Sequence, residues 1–130
     1  AVAASKAALN WTIEYVNQRN VFGKKIAEFQ NTKFKLAELK TELNVAQIYL
    51  DDCIDKHLNK EFDAADGAMA KLWTTELQCK LVDVCVQLHG GYGYMREYPI
   101  ARAWEDARVQ RIYGGTNEIM KEIISRTLKI

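Results

Sequence analysis

The sequence predicts an all-α fold, an up-and-down bundle of about four main helices. Apolar residues step by three and four over long segments, glycine and proline gather where those steps break off, and no stretch alternates long enough to make a strand. With 130 residues, 48% of them hydrophobic, the chain can bury a core within a single domain. A formal net charge of +1 gives no electrostatic basis for nucleic acid or an anionic membrane as partner. No apolar run approaches the length of a membrane span, and no basic-then-apolar signal segment opens the chain.

The first helix is predicted from Val2 to about Arg19, on the stripe Leu9, Ile13 and Val16. Its pattern is already under way at Ala1, without an initiator Met or an N-cap, so the sequence reads as a piece of a longer protein. Val21-Phe22-Gly23 breaks the pattern, with Gly23 as a left-handed stop and Phe22 expected to plug the space beneath it. A second helix follows from about Asn31 to Leu58, with Leu36, Leu39, Leu43, Ala46, Leu50 and Cys53 on its main stripe. Phe34, Val45, Ile48 and Ile54 widen that stripe, as expected of a bundle helix contacted on more than one side. The third helix, about Asp63 to His89, carries Met69 and Trp73 among its expected core residues. Pro99 suits the first turn of a fourth, running to about Tyr113, whose charges invite pairs such as Arg102–Asp106 and Glu105–Arg108. A fifth, from about Thr116 to Leu128, closes the chain. Cys53, Cys79 and Cys85 are odd in number and lie in helical patterns, so they read as reduced thiols of a reducing compartment. His57 has no second ligand at metal spacing, and no metal site is expected.

Between Val86 and Glu122 stand most of the seven glycines and the only proline. Two glycine turns, Gly90-Gly91-Tyr92-Gly93 and Gly114-Gly115-Thr116, sit at helix boundaries. Glycine allows positive φ and a close approach of ligand to main chain, and a helix start after Thr116 or Asn117 offers free N–H groups to an electron-rich ligand. The same turns serve equally well as simple helix stops, and local chemistry leaves both readings open. Arg19 reads locally as a solvated charge at a helix C-terminus, and Gln30 as an ordinary polar residue in a helix-entry turn.

The segments QLHGGYGYMREYPIARAWEDARV and RIYGGTNEIMKEIISRTL resemble the C-terminal helical domain of the acyl-CoA dehydrogenases. QRNVFGKKIAEFQ resembles that family's Arg-x-x-Phe-Gly…Gln element. The blocks keep the family's order and spacing over essentially all of residues 1–130, and the long-chain branch is the one they resemble most. The resemblance implies a domain cut from a chain that also has an N-terminal helical domain and a flavin-binding β-domain. It implies FAD as cofactor, acyl-CoA as substrate, electron-transfer flavoprotein as acceptor, and assembly as homodimer or homotetramer. The compartment would be bacterial cytoplasm or, in a eukaryote, the mitochondrial matrix. Arg19, Gln30, Gln87, Leu88, His89, Gly90, Gly91, Thr116, Asn117 and Glu118 become cofactor contacts by resemblance. Tyr113, Gly114 and Gly115 become substrate contacts.

The implied reaction oxidises the α,β bond of an acyl thioester, with a carboxylate taking the α-proton and FAD accepting the hydride. Most members keep that carboxylate in a Tyr-Glu-Gly-Thr turn, where this sequence has Tyr113-Gly114-Gly115-Thr116. Gly114 cannot be a base. The long-chain and isovaleryl branches carry the glutamate on the first helix of this domain, a position that aligns a few residues before Ala1. Residues 1–130 are therefore expected to hold no catalytic base and to be inactive alone. A helical oligomerisation module without catalysis and an acyl-CoA oxidase domain are the alternatives.

Overall fold

The computed structural model describes residues 1–128, and five α-helices make up most of it. They are α1 (Val2–Gln18), α2 (Gln30–Leu58), α3 (Ala64–His89), α4 (Pro99–Val109) and α5 (Asn117–Ser125). Helix α3 is the central post, with α1, α2, α4 and α5 all packed against it. Leu77, Leu81, Val82 and Cys85 of α3 meet Ala8 and Leu9 of α1, Leu39, Leu43 and Ala46 of α2, and Ile100 and Ala107 of α4 in one core. Hydroxyls buried in this core bond back within their own helices, as Thr12 does to the Ala8 carbonyl at 2.8 Å and Thr74 to that of Ala70 at 2.8 Å. These two cost no unpaired polar group, whereas the Tyr49 hydroxyl and Gln78 Oε1 are buried without a partner among the described residues.

Caps account for the sharpest boundaries. Asp63 accepts from the Asp66 N–H at 2.8 Å, and Asp66 in turn accepts from the Asp63 N–H at 3.3 Å. Thr116 accepts from the Ile119 N–H at 3.3 Å and starts α5. Gly90 ends α3 at φ 61, ψ −141, a conformation left almost entirely to glycine.

Several expectations need correction. The fourth helix stops at Val109 rather than Tyr113, because the Gly114-Gly115 turn unwinds the chain before it. The fifth ends at Ser125, with a 3₁₀ turn from Arg126 to Leu128. Two short strands also exist, β1 (Asn20–Val21) and β2 (Lys24–Lys25), joined antiparallel through Phe22 and Gly23. Both loop residues have positive φ, 51 and 78, the geometry of a tight two-residue hairpin. Phe22 is no plug; it is 97% exposed at the hairpin tip. Met69 and Trp73 are exposed rather than core. Arg96, in the turn before α4, pairs with Glu105 of α4 at 3.4 Å, and Arg102 donates to the Arg96 carbonyl. Neither expected pair, Arg102–Asp106 or Glu105–Arg108, forms among the described residues.

The main stripe of α2 faces the core, but Phe34, Val45, Ile48 and Ile54 point outward, Ile48 being 70% exposed. The three cysteines are free; Cys53 and Cys85 are buried, and burial pushes the Cys85 thiol up to about 11. No helix among the described residues is long and apolar enough to cross a membrane.

Candidate functional site

The C-terminal ends of α1 and α3 meet side by side and leave a groove of about 650 Å³ between them. Arg19, Gln87, Leu88, His89, Gly90 and Gly91 line it, all six expected as ligand contacts. Tyr15 and Tyr92 line it too. Sequence reasoning missed both. Tyr15 sits one helical turn before Arg19, a spacing that puts the two on one face, and this signal was available.

Each member is held by an identifiable contact. The Arg19 guanidinium lies 5.2 Å from the centre of the Tyr92 ring, and it has no ion-pair partner among the described residues. His89 is 5% exposed, its ring stacked on Tyr15 at 4.2 Å, and its Nδ1–H donates to the Cys85 carbonyl at 2.8 Å. Burial lowers the His89 pKa, against the smaller raising effect of that carbonyl, so the ring is neutral at pH 7. The Tyr15 hydroxyl donates to the His89 carbonyl at 3.1 Å, tying α1 to the end of α3. Burial raises the Tyr15 pKa, and Arg19 only partly offsets it. The His89 side chain is thus a packing element; what the segment turns toward the groove is main chain, the Gln87 amide and the Arg19 cation.

Gly91 gives the strongest local sign of a ligand. Its φ is not in the left-handed region, and a Cβ placed on it would meet nothing within 4 Å. Neither conformation nor packing within this chain demands glycine there. A free guanidinium, a carboxamide and a bare stretch of main chain together form a donor set that suits a diphosphate.

The second candidate cluster lies elsewhere. Asn117 packs against Thr75 of α3, and Leu88 is thirteen residues further on, about 20 Å at the helical rise. Tyr113, Gly114 and Gly115 are exposed in the turn before α5, Gly114 at φ 63 and Gly115 at φ 92. Thr116 spends its hydroxyl oxygen on the helix cap. Asn117, expected to face a ligand, instead turns inward and is 2% exposed. Its Nδ2 donates to Thr75 Oγ1 at 3.0 Å and to Glu76 Oε1 at 2.7 Å, while Lys71 Nζ donates to its Oδ1 at 2.5 Å. Glu118 is exposed, and its carboxyl is held below the usual range chiefly by its own backbone N–H, with the Thr116 hydroxyl, Lys121 and Lys71 adding to the effect. A base poised near neutral pH needs the opposite shift. Gln30 stands exposed in the first turn of α2, in neither cluster.

No group of three or more His, Cys, Asp or Glu that could hold a metal occurs among the described residues. Residues 1–129 match the family model described as the acyl-CoA dehydrogenase C-terminal domain. A long-chain specific acyl-CoA dehydrogenase of Sus scrofa, named as mitochondrial, is 54% identical over 128 residues, covering 98% of this chain and 30% of that protein. The crystal structure of an acyl-CoA dehydrogenase from Geobacillus kaustophilus superposes with a TM-score of 0.97 at 43% identity, over 99% of this chain and 34% of that one. The FAD complex of PigA superposes at 0.89 with 33% identity, over 98% and 33%. The chain thus spans about a third of the length of these relatives. With the match running through the hairpin, the groove and the second glycine turn alike, this chain belongs to the acyl-CoA dehydrogenase family, as its C-terminal domain.

Proposed function

We propose that residues 1–130 act as the C-terminal helical domain of a flavoprotein that oxidises the α,β bond of long-chain acyl-CoA thioesters. The observation that carries this reading is the groove between α1 and α3, lined by Arg19, which has no ion-pair partner among the described residues, and by a glycine that the fold itself does not require. Arg19 and the main chain of Gly90 and Gly91 would hold the FAD diphosphate, with Gln87 orienting it. Bound FAD supplies a hydride acceptor. The 54% identity to a long-chain relative supports the chain-length reading. Electron-transfer flavoprotein is the acceptor that membership of the family suggests, and the compartment would follow the source, mitochondrial as in the mammalian relative or bacterial cytoplasm.

The roughly 20 Å along α3 between the two clusters supports a division of labour. The groove residues, together with Gln30, serve the cofactor of a neighbouring subunit, and the Tyr113–Glu118 segment serves the chain's own site. There the open main chain at Gly114 and Gly115 lies against the thioester, and an N–H can bond its carbonyl oxygen as negative charge develops. Thr116 and Glu118 border the cofactor. Asn117 reaches it through main chain alone, since its side chain is engaged with α3. The α-proton is taken by a carboxylate from outside residues 1–130, because Gly114 has no side chain and Glu118 is, by the family resemblance, a cofactor contact. The outward face of α2, with Phe34, Val45, Ile48 and Ile54, is the surface through which subunits assemble.

The test is turnover by the full-length protein with acyl-CoA of graded length and an artificial acceptor. Long chains are expected to be preferred, and Arg19→Ala to lower flavin retention. Residues 1–130 alone, with added FAD, are expected to be inactive. A full-length protein that binds FAD but oxidises no acyl-CoA would make the domain an assembly module instead.

A further inference from the structure

The turn proposed to meet the thioester is held at its ends, where the Tyr113 N–H donates to the Val109 carbonyl at 3.1 Å and the Thr116 carbonyl accepts from the Met120 N–H at 3.0 Å, while its two glycines have no side chain to hold them. Gly114 and Gly115 have no side chains, and the space around a Gly114 Cβ is empty to 4 Å. Tyr113 is exposed. Two glycines in sequence carry the largest backbone freedom available to a chain, so the position of this turn must be set at its neck.

The neck is closed twice. The Asn117 N–H donates to the Arg111 carbonyl at 3.0 Å, joining the residues on either side of the turn. A single carboxylate on α3 then takes hold of both. Glu76 Oε1 accepts from Asn117 Nδ2 at 2.7 Å, and Glu76 Oε2 forms an ion pair with Arg111 Nη2 at 2.7 Å. Asn117 is fully satisfied in this arrangement, with both amide hydrogens donated and its oxygen accepting from Lys71. The bond from Asn117 is charge-assisted, and together with the ion pair to Arg111 it fixes where the two sides of the neck stand on α3.

We propose that Glu76 is a positioning residue, a clasp that sets the Tyr113–Thr116 turn at the height where its main chain meets the acyl thioester. This rests on the reading of that turn as substrate-facing. The Glu76 side chain is 42% exposed and that of Arg111 32%, so the ion pair contributes little to global stability. Its effect is on placement. A displacement of about 1 Å at a reacting centre can lower rates by about a hundredfold. The clasp therefore separates two quantities that a purely structural residue would change together.

The experiment uses the full-length enzyme with FAD bound and compares wild type, Glu76→Ala, Glu76→Gln and Gly114→Ala. Steady-state kcat and KM with a long-chain acyl-CoA are read beside flavin content and melting temperature. Glu76→Ala is expected to lower kcat/KM by about ten- to a hundredfold, mostly in kcat, with flavin content near wild type and a melting temperature modestly lowered, because the buried Asn117 amide loses an acceptor. Glu76→Gln, which keeps an acceptor for only one of the two donors, should fall between. Its milder change keeps the test open should Glu76→Ala not fold. If the Glu76 variants keep kcat/KM within about twofold while Gly114→Ala lowers it, the clasp is overturned and the turn keeps its role. If Gly114→Ala is also without effect, the substrate-facing reading falls and the clasp with it. A Glu76→Ala loss that tracks lost flavin overturns the clasp as well, because it marks a structural residue.

Discussion

The two glycine turns look alike in sequence and are built for different reasons. In the first, Gly93 is a packing residue, since a Cβ there would stand 2.5 Å from the Val86 carbonyl oxygen and 3.0 Å from the His89 Cβ. Gly90 is conformational, at φ 61 with open space around it. Gly91 is neither. In the second turn both glycines are conformational, and a Cβ at Gly115 would stand 2.8 Å from the Met120 Cε, the flexible end of a side chain that can move away. One turn is thus wedged against the core and the other merely hung from its neck. A glycine that neither packing nor conformation requires points beyond the chain, and only Gly91 meets that description.

Substitutions can break this contrast. The largest expected effect is that of Gly93→Ala, which must push back a main-chain carbonyl in the last turn of α3. It should destabilise the protein by about 1–3 kcal/mol, read as a lowered denaturation midpoint. A midpoint equal to wild type would mean that the first turn is no more wedged than the second. Next comes Gly114→Glu. The site is open but φ is 63, so the side chain fits at a cost of about 1–2 kcal/mol in backbone strain. In the intact enzyme it should lower kcat/KM about tenfold, through bulk and through repulsion with the native carboxylate base. In a variant lacking that base it should restore partial activity, with a shift toward shorter acyl chains. A double variant that binds flavin and acyl-CoA yet stays dead would move the turn away from the reacting carbons.

Gly91→Ala sharpens the contrast from the other side. Nothing in this chain resists the methyl group, so the melting temperature of the flavin-free protein should not move. Flavin affinity should weaken about tenfold, or roughly 1.4 kcal/mol, as titration of the apoprotein would measure. An unchanged affinity would leave Gly91 unexplained. The smallest effect concerns His89, buried between Tyr15 and the end of α3. Its folded pKa lies below the ordinary 6.5, so the unfolded chain binds the proton first as pH falls. The stability from keeping the ring neutral is fully present above about pH 6.5 and is lost as pH falls toward the folded pKa. Wild type should therefore lose more stability than His89→Gln between pH 7.5 and 5.5 in denaturant titrations. Equal losses would show that His89 is not the group responsible.

Helix positions were legible because a three- and four-residue apolar step is a direct consequence of helical geometry, and Thr116 marks a boundary independently as a cap. Met69 and Trp73 were misplaced for an equally physical reason. Periodicity reports that a face is apolar, not whether its partner belongs to the same chain, and both side chains are exposed here. The hairpin escaped notice because two residues per strand show no alternation and Phe-Gly is not the usual pair for positive φ at both positions. At the site, the groove residues were legible as a set through family resemblance. The inward turn of Asn117 was not. An Asn after an N-cap suits a ligand or a neighbouring helix equally well, and only the arrival of Thr75 and Glu76 beside it decides.

That α3 carries its two clusters about 20 Å apart has a consequence for inheritance. If the groove end of one chain completes the site whose substrate turn comes from another, then alleles damaged at opposite ends can complement. A mixed dimer of an Arg19→Ala chain and a Gly114→Glu chain would hold one site assembled from two sound halves and one from two damaged halves. Either homodimer would hold only impaired sites. Two recessive lesions in the same gene could then give partial activity together, while two lesions at the same end could not.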